Sequence, residues 1–100
     1  MIAVKISKEN NKYKKLNILG HAMYDDYGKD IVCASVSSIV ITSINLVISL
    51  DDKALKLKES EGLIEVKVLK EDEIINKVFN NMINMLKELQ ENYNKNIKFI

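Results

Sequence analysis

Twenty consecutive residues, Ile31 to Leu50, carry no charged side chain, a length that would suffice for a helix crossing a membrane. Polar side chains recur in this segment every three or four residues and so lie along one stripe of a helix. They are Ser35, Ser38, Thr42, Asn45 and Ser49, while Val36, Val40, Val47 and Leu50 occupy another side. Because a lipid-facing helix rarely contains so many polar residues, we expect no membrane span. The segment indicates a buried helix of a soluble protein. The small and hydroxylated side chains of its polar stripe would let a second helix approach closely.

The segments on either side of this helix show the alternation of strands. Residues 1–7 and 13–20 alternate between apolar and polar side chains, with Leu16 and Ile18 facing inward, and a polar turn separates the two runs. Two further alternating runs, residues 53–58 and 63–69, flank the sequence ESEG and predict a hairpin.

A second helix is predicted for residues 71–91, where acidic residues at the start favour the positive end of the helix dipole. Its apolar face consists of Ile74, Ile75, Val78, Phe79, Met82, Leu86 and Leu89. A short final strand follows at residues 96–100. The order ββαββαβ predicts an α+β fold, an α/β sandwich with a small mixed sheet and two main helices. One hundred residues are enough for a single domain, residues 1–100.

Charge and cysteine content limit the classes of function. Fifteen lysines and no arginine stand against fourteen acidic residues. Proteins that bind nucleic acid usually have a basic surplus and use arginine to contact phosphate and guanine, so we expect no direct nucleic-acid binding. The single cysteine cannot form an intramolecular disulfide, and the first residues do not resemble a signal peptide. Both observations favour a cytoplasmic protein.

Residues 20–37, GHAMYDDYGKDIVCASVS, contain the only histidine and the only cysteine of the chain, His21 and Cys33. Asp30 is suited to cap the uncharged helix, which places Cys33 in its first turn, where unpaired N–H groups and the helix dipole favour a thiolate. A strand–loop–helix connection can bring His21 close to Cys33, as a cysteine nucleophile and its base require. The alternative is that both are ordinary core or surface residues.

A metal site is not expected in this segment. One cysteine and one histidine supply only half of a tetrahedral set of ligands. Asp25 and Asp26 are adjacent carboxylates, but their position is typical of a solvated loop tip. We therefore expect neither a metal ion nor another cofactor.

The sequences GHA and GKDIVCASVS resemble the signature of the ribosomal-processing cysteine protease family, Prp. That signature is Gly-His-Ala, a short flexible loop, and then Gly-x-Asp-Ile-Val-Cys-Ala with a serine one turn further on. The matching positions are Gly20, His21, Ala22, Gly28, Asp30, Ile31, Val32, Cys33, Ala34 and Ser37. The resemblance implies a homodimeric bacterial cysteine endopeptidase with His21 and Cys33 as catalytic residues. It also implies a substrate, the twenty-seventh protein of the large ribosomal subunit, which loses a short N-terminal extension at a cut preceded by aromatic residues.

The other residues of the segment have more than one interpretation. Asp30 either only caps the helix or, in addition, orients His21. Ser37 lies on the same helix face as Cys33 and either lines the site or packs between helices. Free N–H groups at the helix start are candidates to stabilise the oxyanion. We expect residues 21–29 to form a mobile lid that binds a basic substrate. The residues assigned to this loop and to substrate binding are Gly20, Ala22, Tyr24, Asp25, Asp26, Tyr27 and Gly28.

Two alternatives to a protease remain at this point. In the first, the chain is a non-catalytic, ribosome-associated module whose loop only binds a peptide. In the second, Cys33 is a redox switch that forms a disulfide between two chains. Independently of the function, the uncharged helix is too apolar to be left uncovered by one small sheet and one other helix, so we expect a homodimer.

Overall fold

A computed structural model describes residues 1–26 and 28–100. Seven elements follow one another in the predicted order ββαββαβ, so the predicted α+β fold class is confirmed. Their bounds are β1 Ile2–Glu9, β2 Lys12–Leu19, α1 Ile31–Leu50, β3 Leu55–Ser60, β4 Leu63–Val68, α2 Glu73–Asn92 and β5 Ile97–Phe99. The bounds of α1 coincide with the uncharged segment.

The strands form one five-stranded mixed sheet in the order β3-β4-β2-β1-β5. β5 is parallel to β1, and the other neighbours are antiparallel. The fully buried strand residues, such as Val4, Leu16 and Val66, lie on one face of the sheet, and both helices contribute to the same apolar cluster. The molecule therefore has two layers, with α1 and α2 packed against each other over one face and the other face open.

The β1–β2 hairpin is tighter than the predicted five-residue polar turn. Asn10 and Asn11 both have positive φ angles, 54° and 63°, as a two-residue type I′ turn requires. The register then shifts, because Ser7 pairs with Lys15 whereas Lys8 pairs with Tyr13. This bulge turns Tyr13 to the covered face of the sheet, where its ring contacts α2.

The burial of α1 follows the predicted side, with Val36, Val40 and Val47 buried against the sheet, whereas Leu50 at the helix end is exposed. The helix is long and apolar enough to cross a membrane by length and composition alone. Its buried side chains, however, belong to the core shared with the sheet and α2, as expected for a core helix. The polar stripe lies partly in the groove next to α2, which Ser35, Ser38 and Thr42 line.

The predicted apolar face of α2 is buried at Ile75, Phe79, Met82 and Leu86. The placement of Ile74 in that face is wrong, because its side chain is 61% exposed. Asp72 caps this helix, so Ile74 lies in the first turn, one position away from the buried stripe, and its side chain lines the outer groove between α1 and α2.

Candidate active site

A cleft of about 960 Å³ lies between the loop after β2, the first turns of α1 and the β3–β4 turn. His21 and Cys33 both line it, so the fold brings the two predicted catalytic residues to one cleft. Its size is within the range of about 300 to 1,000 Å³ that is typical of ligand sites. Among the residues that the structure describes, no group of three or more histidine, cysteine or acidic side chains is arranged to hold a metal ion.

Cys33 lies in the first turn of α1 with a free, half-buried thiol. The backbone N–H of Ala22 donates to its Sγ at 3.2 Å. A donor directed at sulfur stabilises negative charge there, and the positive end of the helix dipole acts in the same direction. The local geometry therefore suits a sulfur nucleophile.

Both backbone polar groups of Ala22, its N–H and its carbonyl, are held by hydrogen bonds. Its carbonyl accepts a hydrogen bond from the Asn96 side chain at 2.9 Å, and the Asn96 carbonyl accepts one from the N–H of Ile2 at 2.8 Å. The side chain of Ala22 is 1% exposed and packs in the core, so it does not contact substrate as its assignment to the loop implied. Ala22 instead fixes the position of the Cys33 sulfur. Asn96 was missed by sequence reasoning, because no local pattern connects residues so far apart in the chain.

Asp30 uses its two carboxylate oxygens for different tasks. Oδ1 accepts the N–H groups of Val32 and Cys33 at 2.9 and 3.0 Å, which is the predicted helix cap. Oδ2 accepts those of Tyr24 and Asp25 at 2.9 and 3.3 Å, which fastens the preceding loop to the helix. Burial opposes ionisation of this carboxyl, but the backbone donors from Cys33, Tyr24, Asp25 and Val32 outweigh it and hold the pKa of Asp30 below its usual range.

No hydrogen bond joins Asp30 to His21 in the part of the chain that the structure describes, so a direct orienting contact between them is not seen. The cap also changes the expectation for the oxyanion. The N–H groups of Val32 and Cys33 are occupied by Asp30 Oδ1, and that of Ala34 donates to the Asp30 carbonyl at 3.1 Å. These three helix-start donors are therefore not free.

His21 lies against the β3–β4 turn. A Cβ atom added to Gly62 would lie 3.3 Å from His21 Nε2, and Gly62 has a φ of 70°. Its carbonyl accepts the N–H of Gly20 at 2.8 Å, which joins this turn to the residue before His21. Within residues 1–26 and 28–100 no hydrogen bond connects His21 and Cys33, so the two side chains share the cleft without forming a closed pair. Sequence reasoning missed Gly62, although it is the third of only three glycines.

Gly20 is fixed in place. Its φ is 90°, and an added Cβ atom would lie 2.5 Å from the carbonyl oxygen of Met1. Its N–H is bonded to Gly62 as described above. Gly20 therefore satisfies a close backbone approach and anchors the start of the loop that is predicted to be mobile. Met23, the next residue with positive φ (58°), lines the cleft and was also missed.

The loop residues divide into two groups. Asp25 and Gly28 line the cleft, whereas Asp26 does not. Tyr24 does not line the cleft either, because its ring packs edge-on against Tyr93 with centroids 5.4 Å apart. The assignment of Tyr27 lies outside the described residues.

Ser37 lines the cleft one turn after Cys33. Three other hydroxyl groups of α1, those of Ser35, Ser43 and Ser49, donate to helix carbonyls at 2.6 to 2.8 Å. For Ser37, as for Ser38 and Thr42, no such bond occurs within the described residues. The position of Ser37 in the cleft, which Ser38 and Thr42 do not share, favours its interpretation as a residue of the site.

The family model for the cysteine protease Prp matches residues 1–98. The chain belongs to the Prp family. The ribosomal processing cysteine protease Prp of Staphylococcus aureus is 28% identical over 102 residues, which cover 98% of this chain and 96% of that relative. This Prp chain is therefore a cysteine protease, as the resemblance of residues 20–37 implied.

Solved structures of S. aureus Prp share the fold. One holds a covalently linked product peptide and has a TM-score of 0.93 at 27% identity, covering 99% of this chain and 97% of that chain. Another holds a substrate peptide, with a TM-score of 0.88 at 26% identity and coverage of 100% and 98%. Both neighbours thus bind peptides.

Proposed function

We propose that this Prp chain removes the N-terminal extension of the twenty-seventh protein of the large ribosomal subunit, in the bacterial cytoplasm, by a Cys–His mechanism. What supports the proposal most is the position of Cys33. Its sulfur accepts the Ala22 N–H at the floor of a cleft that His21 also lines, in a fold shared with a protease that carries a covalently linked product peptide.

The mechanism is acyl transfer. The Cys33 thiolate attacks the scissile carbonyl, a C–S bond forms, and the C–N bond breaks as the His21 imidazolium gives its proton to the departing amine. Water then attacks the thioester as His21 takes a proton from it, a C–O bond forms, and the C–S bond breaks to release the carboxylic acid product. This step returns the Cys33 thiolate beside the His21 imidazolium, the state in which the cycle began. Asp30 occupies helix-start donors and the Ala22 N–H donates to Sγ, so the Ser37 hydroxyl is the candidate donor to the oxyanion.

The test uses a peptide that spans the extension and the first mature residues of the bacterium's own ribosomal protein. Cys33→Ala and His21→Ala should reduce cleavage, followed by mass spectrometry, below about one-thousandth of wild type while circular dichroism stays unchanged. Ser38→Ala, an exposed helix position outside the cleft, is the control. Cleavage retained by a folded Cys33→Ala protein would exclude the mechanism. An active enzyme that leaves this peptide intact would exclude the substrate.

The two alternatives predict different thiol chemistry. If the chain were a binding module without catalysis, iodoacetamide should alkylate Cys33 no faster than a free thiol at neutral pH, whereas a thiolate nucleophile reacts much faster. If Cys33 were a redox switch, a mild oxidant should give a covalent dimer on non-reducing electrophoresis. We expect rapid alkylation and no covalent dimer.

We also propose that the protein is a homodimer. The outer side of α1 exposes Leu46, Ile48 and Leu50, and the groove beside α2 adds Ile74 and Met85. A two-fold interface between copies would cover this apolar surface. Light scattering at micromolar concentration should give about twice the chain mass of 11.4 kDa. A mass near that of one chain would contradict the proposal.

The loop is proposed to act as a lid that orders on substrate binding, with its acidic residues attracting a basic peptide. Because Asp25 lines the cleft and Asp26 does not, Asp25→Asn should raise KM more than Asp26→Asn. The KM of the first variant should also depend less on salt, since exposed charges are screened over about 10 Å at 0.1 M salt. Equal KM values for both variants, or amide exchange in the loop that peptide leaves unchanged on Cys33→Ala, would count against the lid.

A further inference from the structure

One face of the sheet is not covered by either helix, and lysine side chains dominate it. Residues directly opposite each other on neighbouring strands share a face, and side chains alternate between faces along a strand. Val4, Leu16 and Val66 are buried and mark the covered side. The registers then place seven lysines on the open side, of which Lys12 pairs with Glu9 at the end of the β1–β2 hairpin. The other six lie across the middle of the sheet, and we call them the lysine face: Lys5, Lys15, Lys56, Lys58, Lys67 and Lys98.

The lysines are arranged in rows across the strands. Lys15, Lys67 and Lys56 are direct partners on β2, β4 and β3, so their Cα positions follow one another about 4.8 Å apart. The next row contains Lys5, Asn17, Glu65 and Lys58. Each of the five strands contributes at least one ammonium group to a broad basic surface.

Charge is segregated between this face and the rest of the protein. On the open side seven lysines stand against two acidic residues, Glu9 and Glu65, whereas eight lysines and twelve acidic residues lie elsewhere in the sequence. Glu65 accepts a hydrogen bond from Lys15 at 2.8 Å. This bond, with smaller contributions from the charges of Lys67 and Lys58, holds the pKa of Glu65 below its usual range. The local field is therefore positive, although the whole chain is nearly neutral.

The composition of the lysine face does not suit a protein partner or a second copy. Protein interfaces centre on aromatic or apolar anchors and are depleted in lysine, and two copies of this face would repel each other. Within the described residues the open side carries no aromatic ring, so it offers no stacking platform for the bases of a single strand. Without arginine it also lacks the forked donor that reads guanine. The partner that best matches the lysine face is therefore the phosphate backbone of a nucleic-acid duplex.

The lysine face and the catalytic cleft can be occupied together. The cleft is bounded by α1 on the covered side of the sheet and reaches open-side residues only at the end of β3 and β4, at Ser60 and Leu63. On the open side, Leu19 and Leu63 pair at the end of the sheet next to the site, and the lysine rows lie two and four residues further along the strands. A bound duplex would therefore leave the cleft accessible.

We propose that the lysine face docks on the phosphate backbone of double-helical RNA, without reading its sequence. RNA is chosen over DNA because the chain belongs to a family whose S. aureus member is a ribosomal processing protease. The proposal departs from the expectation drawn from total charge, which did not reveal how the lysines are arranged. Docking of this kind brings the enzyme to RNA-bound protein substrates and does not depend on which protein it cuts.

Fluorescence anisotropy of a labelled 20-base-pair RNA duplex tests the proposal. Binding should weaken steeply between 50 and 200 mM KCl, because each phosphate contact contributes about 0.9 to the slope of log K against log salt concentration. The face variant replaces Lys56, Lys58 and Lys67 by Gln and should lower that slope by about 2 to 3. The control replaces Lys53, Lys77 and Lys95 by Gln, which removes the same charge from the covered side and the connections, and should bind like wild type.

Peptide cleavage in the absence of RNA should be the same in both variants, since neither set of lysines lines the cleft. Three results would overturn the proposal. The first is no binding at 50 mM KCl, and the second is equal weakening by the face and control variants, which would indicate net charge alone. The third is tighter binding of duplex DNA, single-stranded RNA or poly-glutamate than of duplex RNA, which would assign the face to another occupant.

Discussion

The two carboxylate oxygens of Asp30 bind different segments, the loop and the helix start, and this allows a quantitative prediction of how substitutions at Asp30 change stability. In Asp30→Asn, the amide Oδ1 still accepts the Val32 and Cys33 N–H groups, so the cap remains, since Asn and Asp are about equally good caps. The amide nitrogen that replaces Oδ2 cannot accept from Tyr24 and Asp25. Only the Tyr24 bond, at 2.9 Å, has good length; the Asp25 bond is 3.3 Å. Losing one exposed, charge-assisted bond should cost about 1 to 1.5 kcal/mol.

Asp72 provides a matched control, because it caps α2 through Ile74 and Ile75 at 2.8 and 3.1 Å. Asp72→Asn should therefore change the free energy of unfolding by less than about 0.5 kcal/mol, and Asp72→Ala should lower it by about 1 kcal/mol through loss of the cap. Asp30→Ala loses both functions and should cost about 2 to 2.5 kcal/mol. Urea unfolding measures the stability of all four variants. The free-energy loss in Asp30→Ala minus the loss in Asp72→Ala then gives the contribution of the bond between Asp30 and the loop.

Amide exchange and pH give independent checks of the same bond. The Tyr24 amide should exchange about tenfold faster in Asp30→Asn, because 1.4 kcal/mol corresponds to a factor of ten. The lowered pKa of Asp30 means that its stabilising contribution is present above the usual Asp pKa and is lost as pH falls through the lowered value. The stability difference between wild type and Asp30→Asn should therefore shrink on acidification. The reasoning would be refuted if the Asn and Ala variants at position 30 lost no more stability than those at position 72 and the exchange rate of the Tyr24 amide were unchanged.

Three further predictions concern the site and the core. Gly62→Ala should reduce kcat/KM and stability together, because it adds contact with His21 to the strain of a positive φ. Gly28→Ala adds similar strain (φ 84°) with open space around it, so it should lower stability by about 1 kcal/mol and reduce kcat/KM less than Gly62→Ala does. Equal kcat/KM in both variants would contradict the contact with His21. Ser37→Ala should lower kcat with KM nearly unchanged if the hydroxyl serves the transition state, as steady-state kinetics on the extension peptide will show. Phe79→Ala, in the fully buried centre of α2, should cost about 3 to 5 kcal/mol in urea unfolding, and a loss below 1 kcal/mol would mean that the core is packed differently.

Much of the fold could be predicted because local signals and tertiary burial agree. The alternation of apolar and polar residues predicted the strands. The bounds of α1 could be predicted because its cap residue, Asp30, and its first apolar turn are neighbours in the sequence. The inward position of Tyr13 could not be predicted in the same way. It depends on a bulge, and a bulge is set by pairing with the partner strand.

The site was predictable only where it is local in sequence. The cap of Asp30 and the first-turn position of Cys33 follow from neighbouring residues. The contacts of Asn96 with Ala22 and of Gly62 with His21 do not, because they depend on how distant strands are brought together. The lysine face could not be predicted for a similar reason, since only the strand registers show which lysines lie on the same side of the sheet.

The bond from Asn96 to Ala22 spans 74 residues, and it has a consequence for the time at which activity first arises. During synthesis His21 and Cys33 emerge long before Asn96 does. Until β5 pairs with β1, the Asn96 side chain cannot hold the Ala22 backbone in the position from which its N–H donates to the sulfur. A non-local contact of this kind forms late, because a long loop must close first. We expect the nascent chain to be inert until its last strand has folded, so that a protease made on ribosomes does not cut before it is complete.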